Sequence, residues 1–273
     1  MGTSTSSSGP KSNIPFDPPW LDDENPEGSP ENENPDDDTQ APPPNDIPPS
    51  EIAPPRRFAD ARCSLGKYAN IGDRNYFSRA AGHYSKKGMG GARRVGSRMR
   101  QSTRSAANLF SFLTSASTRS DTETTKWLEN VKSKKLSHSQ VINLIVNHVA
   151  PQTGGLDDES CRDSMAHAMS EFMEKHRDAD LLELNQGQIQ EITERFIANE
   201  AYNRLILDIG QVFERSAVEG LRRRNMMREY LYSDISAAME DLWKTNANPT
   251  KSAFDKLLQK AIQNTFEVYE DAL

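Results

Sequence analysis

From Phe58 to the end of the chain, apolar side chains return at the three-and-four spacing that lines one face of a helix. Phe58, Ala61, Leu65 and Tyr68 form the first run, and Gly72 ends it. Asp73 is placed as N-cap of a second helix carrying Tyr76, Phe77, Ala80, Ala81 and Tyr84. After Gly88-Met89-Gly90-Gly91 a third segment runs through Val95, Met99, Ala106, Leu109, Phe110 and Leu113. Small residues crowd it, Gly96, Ser102, Ser105 and Ala106 among them, so another helix can approach closely.

Beyond residue 120 the start and stop signals sharpen. Ser137-x-x-Gln140 predicts a capping box before Val141, Ile142, Ile145 and Val146, and Pro151 with Gly154-Gly155 ends that helix. Asp157-Asp158-Glu159 suits the positive end of the next helix, whose inner face carries Met165, Met169, Phe172 and Met173. Asn185-x-x-Gln188 caps another, with Ile189, Ile192, Phe196 and Ile197, and the pattern continues through Leu205, Ile209 and Phe213. Met227, Leu231, Ile235, Met239 and Trp243 mark the following helix. Asn248-Pro249 predicts a cap with proline at the first helical position, opening a last helix with Phe254, Leu258, Ile262, Phe266 and Tyr269. No strand-like alternation occurs, and the fold class expected is all-α.

Ahead of residue 56 this pattern stops. Fourteen of the sixteen prolines lie in residues 1–55, and residues 1–54 carry a net charge of −11. So little apolar surface cannot offset chain entropy, which predicts a disordered, acidic, Pro-rich arm. Residues 55–104 reverse the sign to +11 and residues 105–273 return to −7. Three units follow: the arm over 1–55, a basic glycine-interrupted helical segment over 56–118, and an all-α domain over 119–273. Cys63 and Cys161 are isolated thiols, indicating neither a disulfide framework nor a zinc site. No apolar run is long enough to span a membrane and no signal-peptide core is present, so a cytoplasmic protein is expected.

The candidate chemistry is thin. The five histidines do not converge in sequence, and no metalloprotease, nucleophile-elbow or phosphate-loop motif is found, so neither catalytic residues, metal nor cofactor are expected. Cys161 and His167, six residues apart on one helix, do not face one another. Arg222-Arg223-Arg224 with Arg228 is a basic cluster that reads first as a solvated helix face and second as a grip for phosphate or carboxylate. Arg93, Arg94, Arg98 and Arg100, with Tyr68, Tyr76, Phe77 and Tyr84 interleaved in the block, form a candidate nucleic-acid patch. The acidic arm is equally able to fold back and mask it. Within the arm, Ile14 to Leu21 is an apolar island whose Phe16, Pro18, Pro19 and Trp20 read as a docking peptide, because proline-restrained aromatics lose little entropy in a groove.

Removal of Met1 before Gly2 would leave an unhindered glycine amine, whose pKa of ~7.7–8.0 keeps part of it nucleophilic near neutrality. Met1-Gly2-x-x-x-Ser6 also fits the minimal N-myristoylation pattern, ranked last as a short motif frequent by chance.

The opening Met1-Gly2-Thr3-Ser4-Thr5-Ser6-Ser7-Ser8-Gly9-Pro10, then Pro18-Pro19-Trp20, Arg57-Phe58, Leu65-Gly66-Lys67-Tyr68 and Gly82-His83-Tyr84, resemble the QatB proteins of bacterial Qat anti-phage defence systems. The resemblance is specific over residues 1–20 and 56–113 and only general beyond. It implies a non-catalytic component with three partners: a QueC-like deazaguanine-synthase relative, an ATPase and a TatD-like nuclease. It further implies that Gly2 is the acceptor for a deazaguanine base, with Thr3, Ser4, Thr5, Ser6, Gly9 and Pro10 as the recognition sequence. The acidic spacer here is longer than expected for the family. The reading from a different class is a nucleic-acid-binding module using residues 56–104.

Overall fold

The computed structural model describes residue 16 and residues 52–134, 136–152, 155–215, 217–246 and 249–273. Their regular structure is helical throughout, with no strand among the described residues. In chain order they form α1 (Ala59–Ile71), α2 (Arg74–His83), a π-helical turn (Tyr84–Met89), α3 (Ala92–Arg98), α4 (Arg100–Thr118), α5 (Thr122–Ser133) and α6 (His138–Val149). There follow α7 (Leu156–Lys175), α8 (Gln186–Ile209), a 3₁₀ turn (Gly210–Arg215), α9 (Ala217–Thr245) and α10 (Lys251–Asp271).

The caps explain many of these boundaries. Asp73 accepts a bond from the Asn75 amide, and complete capping boxes form at Ser137/Gln140 and Asn185/Gln188. The start of α10 differs from expectation. Its N-cap is Thr250, whose hydroxyl accepts from the Ala253 amide at 3.3 Å, so Pro249 lies outside the helix and Asn248 outside the described residues. The single segment expected after the glycines is two helices. The Met99 amide reaches back to the carbonyls of both Val95 and Gly96, tightening the turn before α4 restarts at Arg100. Likewise the run expected through Phe213 leaves the α-helix at Gly210.

Two helices organise the packing. From Ile192 to Tyr202 every residue of α8 is buried, which places it between α4, α7 and α9. α10 crosses α2, α3, α4 and α9, burying Phe254, Leu258, Ala261, Ile262, Phe266 and Tyr269. Each such large apolar side chain is worth ~1.5–3 kcal/mol. Close approach comes from small residues: a Cβ on Gly82 would stand 2.2 Å from the Tyr269 carbonyl oxygen, and one on Gly96 3.3 Å from that of Gln259. One apolar cluster of described residues runs from Phe58 to Tyr269 and draws side chains from both sides of position 118. No helix among the described residues is long and apolar enough to cross a membrane.

Candidate functional site

The face formed by the start of α1, the π-helical turn and α3 gathers most of the unusual features. Phe58 stacks on Tyr84 with ring centroids 5.6 Å apart, and its ring covers Gly88, where a Cβ would approach to 2.5 Å. The π-helical winding carries the chain from Tyr84 to Met89 and closes when the Gly91 amide donates to the Ser85 carbonyl at 2.9 Å. Gly90 and Gly91 take φ of +81° and +115°, conformations that side chains disfavour, and α3 then begins.

Phe16 sits against this turn. Its ring is 9 % exposed, the Arg94 guanidinium lies 5.2 Å above it, and a Cβ on Gly90 would come within 3.1 Å of it. Arg94 also donates to the Gly90 carbonyl at 3.3 Å, which holds the guanidinium over the seat.

Next to the seat is a small cavity of about 130 Å³ lined by Tyr84, Met89, Arg98, Arg204, Asp208 and Phe266. The Tyr84 hydroxyl donates to Asp208 at 2.9 Å, and Arg62 donates to the Asp208 backbone carbonyl at 2.9 Å. Burial raises the Asp208 carboxyl above its ordinary value, while the Tyr84 hydrogen bond and the charges of Arg57, Arg98 and Arg204 pull the other way. Burial, then the Asp208 charge, drives the Tyr84 phenol well above its usual range. The Arg57 guanidinium covers Phe58 at 4.9 Å. Arg57, Arg98 and Arg204 thus bear on one half-buried carboxylate, and Arg62 on the backbone carbonyl of the same residue.

The four arginines of the expected patch do different things. Arg93 is exposed, Arg94 covers Phe16, Arg98 lines the cavity, and Arg100 is half-buried at the start of α4. The aromatic residues that were to interleave with them are interior: Tyr68, Phe77 and Tyr84 are buried and Tyr76 is half-buried. Their hydrophobic spacing, which placed them on one helix face, is the reason. Of the arm, Gly2, Thr3, Ser4, Thr5, Ser6, Gly9, Pro10, Pro18, Pro19 and Trp20 lie outside the described residues.

The Arg222-Arg223-Arg224 cluster also divides. Arg223 turns to the Ile71 carbonyl at 3.4 Å and Arg228 lies 4.4 Å over the Tyr202 ring. Arg222 and Arg228 line an open groove of about 710 Å³ with His167, Glu171, Glu229 and Tyr230. His167 Nε2 stands 3.1 Å from both Arg228 Nη1 and Glu171 Oε1, so it serves one of them at a time. Although burial pulls the Glu171 carboxyl up, the His167 hydrogen bond and the nearby His167, Arg195 and Arg228 charges outweigh it and hold the value low. Cys161 and His167 do not meet, as expected: the thiol contacts Glu200 at 3.5 Å instead.

Sequence reasoning missed two buried carboxylates on α8. Glu200 accepts from the hydroxyls of Ser102 at 2.6 Å, Ser160 at 3.0 Å and Ser164 at 2.6 Å. Glu194 accepts from Ser236 at 2.8 Å and the Trp243 indole at 2.9 Å. The available signal was that α8 carries apolar residues on all sides of these glutamates, which leaves them no exposed face.

Fold and face together define an all-α protein with a positively charged face that receives an aromatic residue from its own arm. Residues 90–269, 180 of the 273, match the family described as Qat anti-phage system associated protein QatB. The chain belongs to the QatB family, which makes it a component of the Qat anti-phage system. The match lies mostly over the helical body, where the motif resemblance was general, and takes in the basic segment only from residue 90. No curated protein and no solved structure matches the chain.

Proposed function

We propose that this chain is the non-catalytic, cytoplasmic acceptor component of its defence system, and that a QueC-like partner conjugates a deazaguanine base to Gly2. The partner adenylates a carboxylated deazaguanine with release of pyrophosphate. The glycine nitrogen attacks the activated carbonyl carbon, AMP leaves, the nitrogen loses a proton and an amide remains. In this reading Thr3, Ser4, Thr5, Ser6, Gly9 and Pro10 are the sequence that the enzyme grips. The system's ATPase and TatD-like nuclease engage the helical body or the modified terminus. Membership of the QatB family over residues 90–269 carries the reading, because it puts the chain in the system whose resemblance implied the acceptor glycine. The test is the intact mass of the protein co-expressed with and without its neighbouring genes. The expected result is an added deazaguanine acyl group on the peptide beginning at Gly2; an unmodified terminus in both cases overturns it.

The second reading, nucleic-acid binding through residues 56–104, rests on the +11 charge of residues 55–104. Without exposed aromatics, such binding would be phosphate-directed and would weaken steeply with salt.

A further inference from the structure

We propose that the Gly90–Arg94 seat, with the arginine-rich rim of the Asp208 cavity beside it, is a docking site for the chain's own residues 14–21, with Phe16 as the anchor. Three independent observations converge on that occupant. Phe16 is buried on this face, beneath the Arg94 guanidinium. The seat is shaped for a ring: Gly90 leaves the space that a Cβ would fill, and Arg94 supplies a guanidinium over the ring face, a favourable cation–π arrangement. The charges also match, since residues 1–54 carry −11 and residues 55–104 carry +11. A tethered segment of opposite charge has a high effective concentration over such a face, so a weak contact suffices to hold it.

Docking at Phe16 would make the arm a leash of defined length. Gly2 lies fourteen positions before Phe16. Fully extended, that stretch reaches about 50 Å from the seat, and as a flexible coil about 20 Å. A partner that handles Gly2 must then work within that radius of α3. Release of Phe16 would lengthen the leash and uncover the arginines. The proposal does not depend on whether Gly2 is conjugated, and its test needs no partner enzyme.

Lys11 is the only lysine or arginine in residues 1–54, which gives trypsin one place to cut the arm. A protease needs several extended residues on either side of the scissile bond, so a docked Phe16 five positions away hinders it. The full-length protein is digested briefly and loss of residues 1–11 is followed by mass. We expect Phe16→Ala to speed this cut by about tenfold, with Phe16→Leu recovering most of the protection. Arg94→Ala, which alters only the receiving side, should accelerate it as well. Raising salt from about 0.05 M to about 0.5 M should speed cleavage of the wild type and leave Phe16→Ala unchanged. Equal rates for wild type and Phe16→Ala overturn the proposal. So does protection that grows with protein concentration alongside a dimer mass, because the occupant is then a second copy.

Discussion

Phe254 and Phe16 are both shielded from water, but by different means. Phe254 is stacked against Phe110 at 4.1 Å and Trp243 at 5.2 Å, on a helix that touches four others. Phe16, from the charged, proline-rich arm, lies beside Gly90 with the Arg94 guanidinium over its ring. The first is held by a core that cannot lose it without a cavity. The second is held, in the docking proposed above, by a contact that can exchange with solvent or a partner. The helical body is thus a frame, and Phe16 is a point at which the arm meets it.

The sharpest way to break this contrast is Phe254→Ala. Truncating a fully buried phenylalanine should cost about 3–5 kcal/mol, read from the urea midpoint, and a loss under ~1 kcal/mol would deny α10 its central place. Next comes Glu200→Ala, which strips the acceptor from Ser102, Ser160 and Ser164. Orphaned buried hydroxyls predict a loss of about 2–3 kcal/mol, softened because serine can turn back to a carbonyl of its own helix. Cys161 reports on the same place, since burial first and the Glu200 charge second push its thiol up to about 12. In the native wild type, iodoacetamide should alkylate the exposed Cys63 and spare Cys161 until unfolding.

A smaller, pH-dependent effect separates the arm-side face from the core. The folded Asp208 carboxyl titrates above its ordinary value of 3.8, so between that value and the raised one the folded state holds the extra proton. Its contribution is therefore present at low pH and lost as pH rises through the raised value. Asp208→Asn keeps an acceptor for Tyr84 without the titration. Relative to wild type, the variant should gain stability between about pH 4 and pH 7, measured by denaturant midpoints at each pH. A constant difference across that range would mean that the arginines, not burial, govern this carboxylate.

Much of the body was legible in the chain because helices declare themselves locally. Ser137/Gln140, Asn185/Gln188 and Asp73 are caps whose chemistry lies within three residues, and Phe254, Leu258, Ile262 and Phe266 repeat at helical spacing. What was not legible depends on partners far away in sequence. Asp208 meets Tyr84 across 124 positions, and Glu200 meets Ser102 across 98, so neither cluster leaves a short motif. The expected aromatic platform of the basic segment failed for a related reason. The periodicity that made Tyr68 and Phe77 conspicuous is the signature of burial, and the structure puts both inside. Phe16 was singled out as a docking residue from its proline-rich setting, but nothing in the sequence said that the groove would be Gly90 and Arg94.

The smallest effect tests the arm itself. If Phe16 is an attachment rather than a core residue, Phe16→Ala should lower the global unfolding free energy by no more than about 1.4 kcal/mol, because a contact that gives tenfold protection stabilises the folded state only by its own occupancy. The measurement is a urea titration followed by far-ultraviolet circular dichroism, which reports the helices of the body. A loss comparable to that of Phe254→Ala would show that the arm is part of the cooperative unit. Its residues would then unfold with α3 and α10 in one step, and a leash released independently of the body would be excluded by the cooperativity itself.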